Sequence, residues 1–152
     1  MSMFTTYHVF LSGRDIEQLL KSGKLGITPF NKANLGPNSY MLSADSELKI
    51  PRLEQRNIWT IERVKIPTTH AALLTARSSI ARRGLFFATS IGVDSGFDGN
   101  LVIEFFNVSK KDFIINKYEP MVHLWIAELS SKAKPYSGKY QGQRPGSGLE
   151  NV

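Results

Sequence analysis

Apolar residues recur with helical spacing most clearly in residues 12–22, where Ile16, Leu19 and Leu20 form one stripe. Ser12 can cap this helix, Asp15 completes a capping-box-like pair three residues on, and Gly23 ends it. Elsewhere the pattern is one of strands. Residues 58–67 alternate well enough for a strand that Pro67 stops, with Trp59, Ile61 and Val64 expected in the core. Strands are also predicted over 85–93, 100–108, 112–115 and 121–127, with Glu119-Pro120 in the turn between the last two. The segment Asp94-Ser95-Gly96-Phe97-Asp98-Gly99 lies between two apolar runs and reads as a hairpin connection.

Period two sorts the strand 100–108 into two faces. Leu101, Ile103 and Phe105 share one; Val102, Glu104 and Phe106 share the other. Glu104 is therefore either on the solvent side of the strand or withdrawn from water, as a proton shuttle requires. Upstream, Arg77-Ser78-Ser79-Ile80-Ala81-Arg82-Arg83 reads as a short helical turn closed by Gly84. Ser78 or Ser79 can cap it, and the N–H groups at such a start attract anions.

A length of 152 residues suits one domain. No apolar run approaches the ~20 residues of a membrane span, and the N-terminus lacks the regions of a signal peptide, so the expected compartment is the cytoplasm. The chain has no cysteine, which excludes disulfides and the His/Cys/Cys zinc site of zinc-dependent cytidine deaminases. His8, His70 and His123 are scattered without metal-ligand spacing. The formal charge of +6 suits nucleic acid or a polyanionic nucleotide. With no RNP motif, helix-turn-helix or dense basic tract, small polyphosphates are favoured over polymers.

Several motifs in order resemble the dCTP deaminase and dUTPase superfamily. Arg77-Ser78-Ser79-Ile80-Ala81-Arg82, continued by Gly84-Leu85, is similar to the deaminases' Arg-Ser-Ser-x-x-Arg signature. Asp94-Ser95-Gly96-Phe97 resembles the turn that carries an aspartate in both branches, and Val102-Ile103-Glu104-Phe105 the deaminases' glutamate strand. Ser12-Gly13-Arg14-Asp15-Ile16, Ile27-Thr28-Pro29-Phe30 and Pro37-Asn38-Ser39-Tyr40 resemble further family segments. The resemblance implies an all-β, distorted jelly-roll-like barrel of the β-clip type with one short N-terminal helix. It also implies homotrimers with sites between subunits. The domain would span residues 1–130. A tail over 131–152 would fold over bound nucleotide, with Tyr136, Lys139 and Gln143 as the matching ligands.

By the same resemblance, Glu104 shuttles the proton in deamination, and Ser78 and Arg82 position water or stabilise developing charge. Asp94 resembles the aspartate that activates water in dUTPases, while a turn-forming role remains open for it. Arg77, Ser79, Ile80, Ala81, Val102 and Ile103 complete the implied nucleotide site, with magnesium held mainly by the triphosphate and no zinc. Three departures stand out. Met41 replaces the family's aspartate after Ser-Tyr, the stretch between Ser43 and Ile50 is short, and the segment before Asp94 lacks a histidine and is one residue shorter. That last feature looks more like archaeal-type dUTPases. Three readings follow: a dCTP deaminase, with continuation to dUMP in the same site because Asp94 and Glu104 are both present; a dUTPase; or a nucleotide-sensing protein without turnover.

Overall fold

The computed structural model describes residues 9–149; His8, and residues 150–152 at the end of the expected tail, lie outside the described residues. Helix α1, Gly13–Lys21, forms as its pattern predicts. Ser12 accepts from Asp15 N–H while Asp15 answers to the Ser12 backbone, a closed capping box worth about 1 kcal/mol. Ile16 is fully buried beneath it.

Ten strands follow: β1 Gly26–Thr28, β2 Tyr40–Ser43, β3 Leu48–Ile50, β4 Gln55–Lys65, β5 His70–Ala76, β6 Leu85–Phe87, β7 Gly92–Val93, β8 Asp98–Asn107, β9 Phe113–Ile115 and β10 Pro120–Glu128. They form one sheet in the order β1-β4-β8-β6, a second in the order β2-β10-β5-β7, and the pair β3-β9. Every pairing is antiparallel. Ile103 and Phe105 from the first sheet share a hydrophobic cluster with Leu42, Leu74 and Leu124 from the second, so the sheets enclose one core.

The expected barrel does not form, because among the described residues no sheet closes on itself. β1 and β6 remain the edges of one sheet and β2 and β7 of the other. An isolated bridge from Ala44 to Thr60 reaches between them, too little to join the ladders. The short turn expected within 77–83 forms as the single helical turn α2, Ser78–Ala81.

The expected strand over 85–93 is in fact two strands in different sheets. β6 pairs with β8, the chain leaves after Phe87, and β7 pairs with β5. Residues 94–97 therefore form a crossover between sheets rather than a hairpin. Gly96 is required in that crossover, at φ +78°, and a Cβ there would stand 2.6 Å from Pro135 Cβ.

The pairing of β4 with β8 is irregular. Its register shifts between Trp59 and Arg63, and Trp59 and Val64 are buried as expected while Ile61 stays half-buried. Alternation on this strand puts Ile58, Thr60, Glu62 and Val64 inward.

Candidate functional site

A cavity of about 620 Å³ opens beside β8, lined by Glu104 and Val102, by Asn57 of β4, by Asp94, and by Tyr136 and Gln143 of the C-terminal segment. β8 delivers Glu104 as its alternation predicts. Leu101, Ile103 and Phe105 face the core, and Val102, Glu104 and Phe106 are half-buried on the other face. Glu104 Oε2 is buried and has no hydrogen-bond partner. Such an oxygen is costly in a folded protein and marks a place where a ligand or water is meant to bind.

Asp94 enters the same cavity from the crossover. The turn is held by its neighbours. Ser95 Oγ donates to His70 O, Gly96 N–H donates to Ile66 O at 2.9 Å, and Tyr136 N–H donates to Ser95 O at 2.8 Å. Among the described residues no hydrogen bond holds the Asp94 carboxylate, which is exposed at the cavity, while its backbone carbonyl accepts Phe97 N–H at 3.1 Å in the turn.

The C-terminal segment is fastened to the crossover and the start of β8. Asn100 and Gln143 exchange two bonds, Asn100 N–H to Gln143 O at 2.9 Å and Gln143 Nε2 to Asn100 O at 2.8 Å. Gln141 receives Asp98 N–H at 2.8 Å and donates to Gly96 O at 2.8 Å. Tyr136 packs against Phe97 with ring centroids 6.0 Å apart. Of the expected ligands in this segment, Tyr136 and Gln143 line the cavity, while Lys139 is exposed with Nζ over the Tyr140 ring. Gln141 is a contributor that the sequence reading missed.

The Arg-Ser-Ser-x-x-Arg turn lies elsewhere. None of Arg77, Ser78, Ser79, Ile80, Ala81 and Arg82 lines the cavity of its own chain. Arg77, not a serine, is the N-cap of α2, because both serines already lie within the turn. Its guanidinium reaches Pro120 O at 3.0 Å instead of capping. Ile80 and Ile103 are fully buried in the core, whereas Ser78, Ser79 and Arg82 are exposed. Met41 sits on β2 opposite His123, away from the cavity, so its replacement of an aspartate removes nothing from this pocket.

Glu62 is a buried carboxylate that the sequence reading passed over, although its inward register with Ile58 and Val64 was the available signal. It is only 2% exposed, and burial raises its pKa above 4.5, partly opposed by the Ser43 N–H donated to it at 2.8 Å. Asn34 Nδ2 donates to Ser43 Oγ at 3.0 Å and completes the cluster. A carboxyl whose folded pKa is raised holds its proton longer folded than unfolded, so its contribution is fully present below pH 4.5 and is lost as pH rises through the folded pKa. His70 and His123, both lowered chiefly by burial, act in the opposite direction, losing stability as pH falls below 6.5. Subtracting the melting temperature of Glu62→Gln from that of wild type cancels the histidines. That difference is expected to decline steadily as pH rises from 4.5. A difference independent of pH would show that Glu62 keeps its ordinary titration.

Among the described residues no three His, Asp or Glu side chains converge as a metal cage would need. No helix among them is long and apolar enough to cross a membrane.

Comparison with known proteins places these features in context. A family model described as dCTP deaminase-like matches residues 57–129, which span β4 to β10. The dCTP deaminase of Pyrococcus abyssi is 34% identical, over 78% of this chain and 86% of that protein. The dUMP-forming dCTP deaminase of a Sulfurihydrogenibium species is 29% identical, over 90% of this chain and 93% of that protein. Among solved structures, the 2'-deoxycytidine 5'-triphosphate deaminase of Agrobacterium tumefaciens matches with a TM-score of 0.71 at 13% identity, over 82% of this chain. This chain spans about half of that one, 49%. A dUTPase from phage phi11 of S. aureus matches with a TM-score of 0.60 at 18% identity, over 78% of this chain and 99% of that one. At those identities the structures speak for the fold.

Proposed function

Because this chain belongs to the dCTP deaminase and dUTPase superfamily, as a dCTP-deaminase-like enzyme acting on pyrimidine deoxynucleoside triphosphates, we propose that it converts dCTP to dUTP and ammonia and carries the product on to dUMP and pyrophosphate. The observation that supports this reading is one cavity holding both carboxylates, with Glu104 Oε2 buried and without a partner.

In this reading Glu104 takes a proton from water as the oxygen bonds to C4 of the base. The same carboxyl returns a proton to the exocyclic nitrogen, the C4–N bond breaks, and ammonia leaves. Asp94 then orients a second water toward the α-phosphate, and pyrophosphate departs. Tyr136 and Gln143 close one side of the nucleotide. Magnesium, commonly used in this family, would arrive on the triphosphate oxygens and offset their charge.

Assembly of the family is oligomeric, and a homotrimer with sites between subunits is the form proposed here. Its support is that Ser78, Ser79 and Arg82 are exposed yet absent from their own chain's cavity. A neighbouring subunit's cavity is where an Arg-rich turn would meet the phosphates. Sedimentation at assay concentration is expected to give a trimer. A stable monomer that turns over substrate would sink this arrangement.

A dUTPase-only reading draws on the segment before Asp94, which has no histidine and lines the cavity with Thr89 and Ser90. Purified protein given dCTP or dUTP, with ammonia and pyrophosphate followed separately, decides between them. Pyrophosphate from dUTP with no ammonia from dCTP would favour the dUTPase.

A further inference from the structure

β6 ends at Phe87, and the next residue makes the last bond of the ladder, Ala88 N–H to Glu104 O at 2.9 Å. In a continuing antiparallel ladder, Glu104 N–H would donate back to the carbonyl of Ala88. It does not, because the chain is already turning away to become β7 in the other sheet. Thr89 Oγ1 accepts the Glu104 N–H instead, at 2.8 Å, and lies 3.4 Å from Glu104 O. A side-chain hydroxyl thus replaces the missing strand partner at the one residue of β8 on which the proposed deamination depends.

The carboxylate cannot supply this anchoring itself. Its Oε2 is buried without a partner, so the place of that oxygen is inherited from the backbone beneath it. Across the strand β4 presents Asn57 at the paired position, which fixes β8 from its other edge. Thr89 is also a lining residue of the cavity. We propose that Thr89 is a positioning residue for the Glu104 proton shuttle, holding the end of the ladder so that the carboxylate stays within reach of C4 and the leaving amine. The inference rests on the reading of Glu104 given above.

The test compares steady-state ammonia release from dCTP by wild type, Thr89→Val, Thr89→Ser, Glu104→Gln and the Thr89→Val/Glu104→Gln double variant, with melting temperatures for each. Valine keeps the shape of threonine and removes the acceptor. Thr89→Val is expected to lower kcat by about 10-fold or more with KM changed by less than about twofold, the mark of lost alignment rather than lost binding. Thr89→Ser restores the hydroxyl and is expected within about threefold of wild-type kcat. In the Glu104→Gln background, Thr89→Val should cost nothing further, since the group it positions is gone. Should Thr89→Val fail to fold, Thr89→Ala set against Thr89→Ser carries the same comparison.

A wild-type kcat in Thr89→Val, a rise confined to KM, no rescue by serine, or an equal loss in both backgrounds would each overturn the assignment. If Glu104→Gln itself leaves ammonia release untouched, the underlying reading of Glu104 has failed. If Glu104→Gln is crippled and Thr89→Val is not, only the role of Thr89 has failed.

Discussion

Glu104→Gln is expected to lower ammonia release from dCTP by at least about 100-fold, the usual scale for losing a general acid–base group. By transition-state arithmetic that corresponds to about 2.7 kcal/mol of barrier. The amide matches the carboxylate in shape but cannot take a proton from water and return it to the departing nitrogen. Structure should survive, because Leu101, Ile103 and Phe105 carry the core side of β8 and are untouched. Stability is expected to hold or rise, since the wild-type carboxylate keeps a buried oxygen without a donor. An active site that costs stability in this way is released when its charge is removed. Melting temperature and ammonia release measured on the same preparation test both halves. A variant that folds and still releases ammonia at the wild-type rate would return Glu104 to the status of an ordinary strand residue.

The parts of this protein legible in its sequence are those set by local chemistry. Ser12, Asp15 and the Ile16-Leu19-Leu20 stripe lie within one helix and announce α1 without any tertiary contact. The alternation from Leu101 to Phe106 sorts core from cavity face, because period two is a property of the strand itself. The break between β6 and β7 left no such mark. It follows from β5 receiving Gly92 and Val93 as an edge, and Thr89 then takes the amide of Glu104, fifteen residues away along the chain. The same break turns the Asp94 segment into a crossover between the sheets.

Site membership divides in the same way. Glu104 and Asp94 could be named from their motifs and share a cavity, whereas Ile80 of the Arg-Ser-Ser signature and Ile103 of the glutamate strand are buried in the core. A motif marks residues that travel together, and only packing separates those that touch a ligand from those that support them. Gln141 shows the converse, tying Gly96 of the crossover to Asp98 at the start of β8 with no sequence signal beyond its place in a polar tail.

Asp94→Asn is expected to separate the two proposed reactions by abolishing pyrophosphate release while sparing much of the ammonia release. C4 of the base and the α-phosphate lie at opposite ends of the nucleoside, beyond the reach of one side chain. The two carboxylates approach the cavity from different elements, Glu104 from β8 and Asp94 from the crossover, and so can serve different bonds. Asn keeps the size of Asp but loses the negative charge that orients and activates a water, a loss on the order of 100-fold. The turn should persist, because Ser95, Gly96 and Phe97 make its hydrogen bonds through groups the substitution leaves in place. Glu104→Gln should show the reverse pattern, with ammonia release from dCTP lost and hydrolysis of supplied dUTP partly retained. Both products are measured from both nucleotides for each variant. If Asp94→Asn depresses ammonia and pyrophosphate equally, the two carboxylates act on one step. If wild type releases pyrophosphate from dUTP and never ammonia from dCTP, deamination is lost as a reading and the short segment before Asp94 is the feature that defines the enzyme.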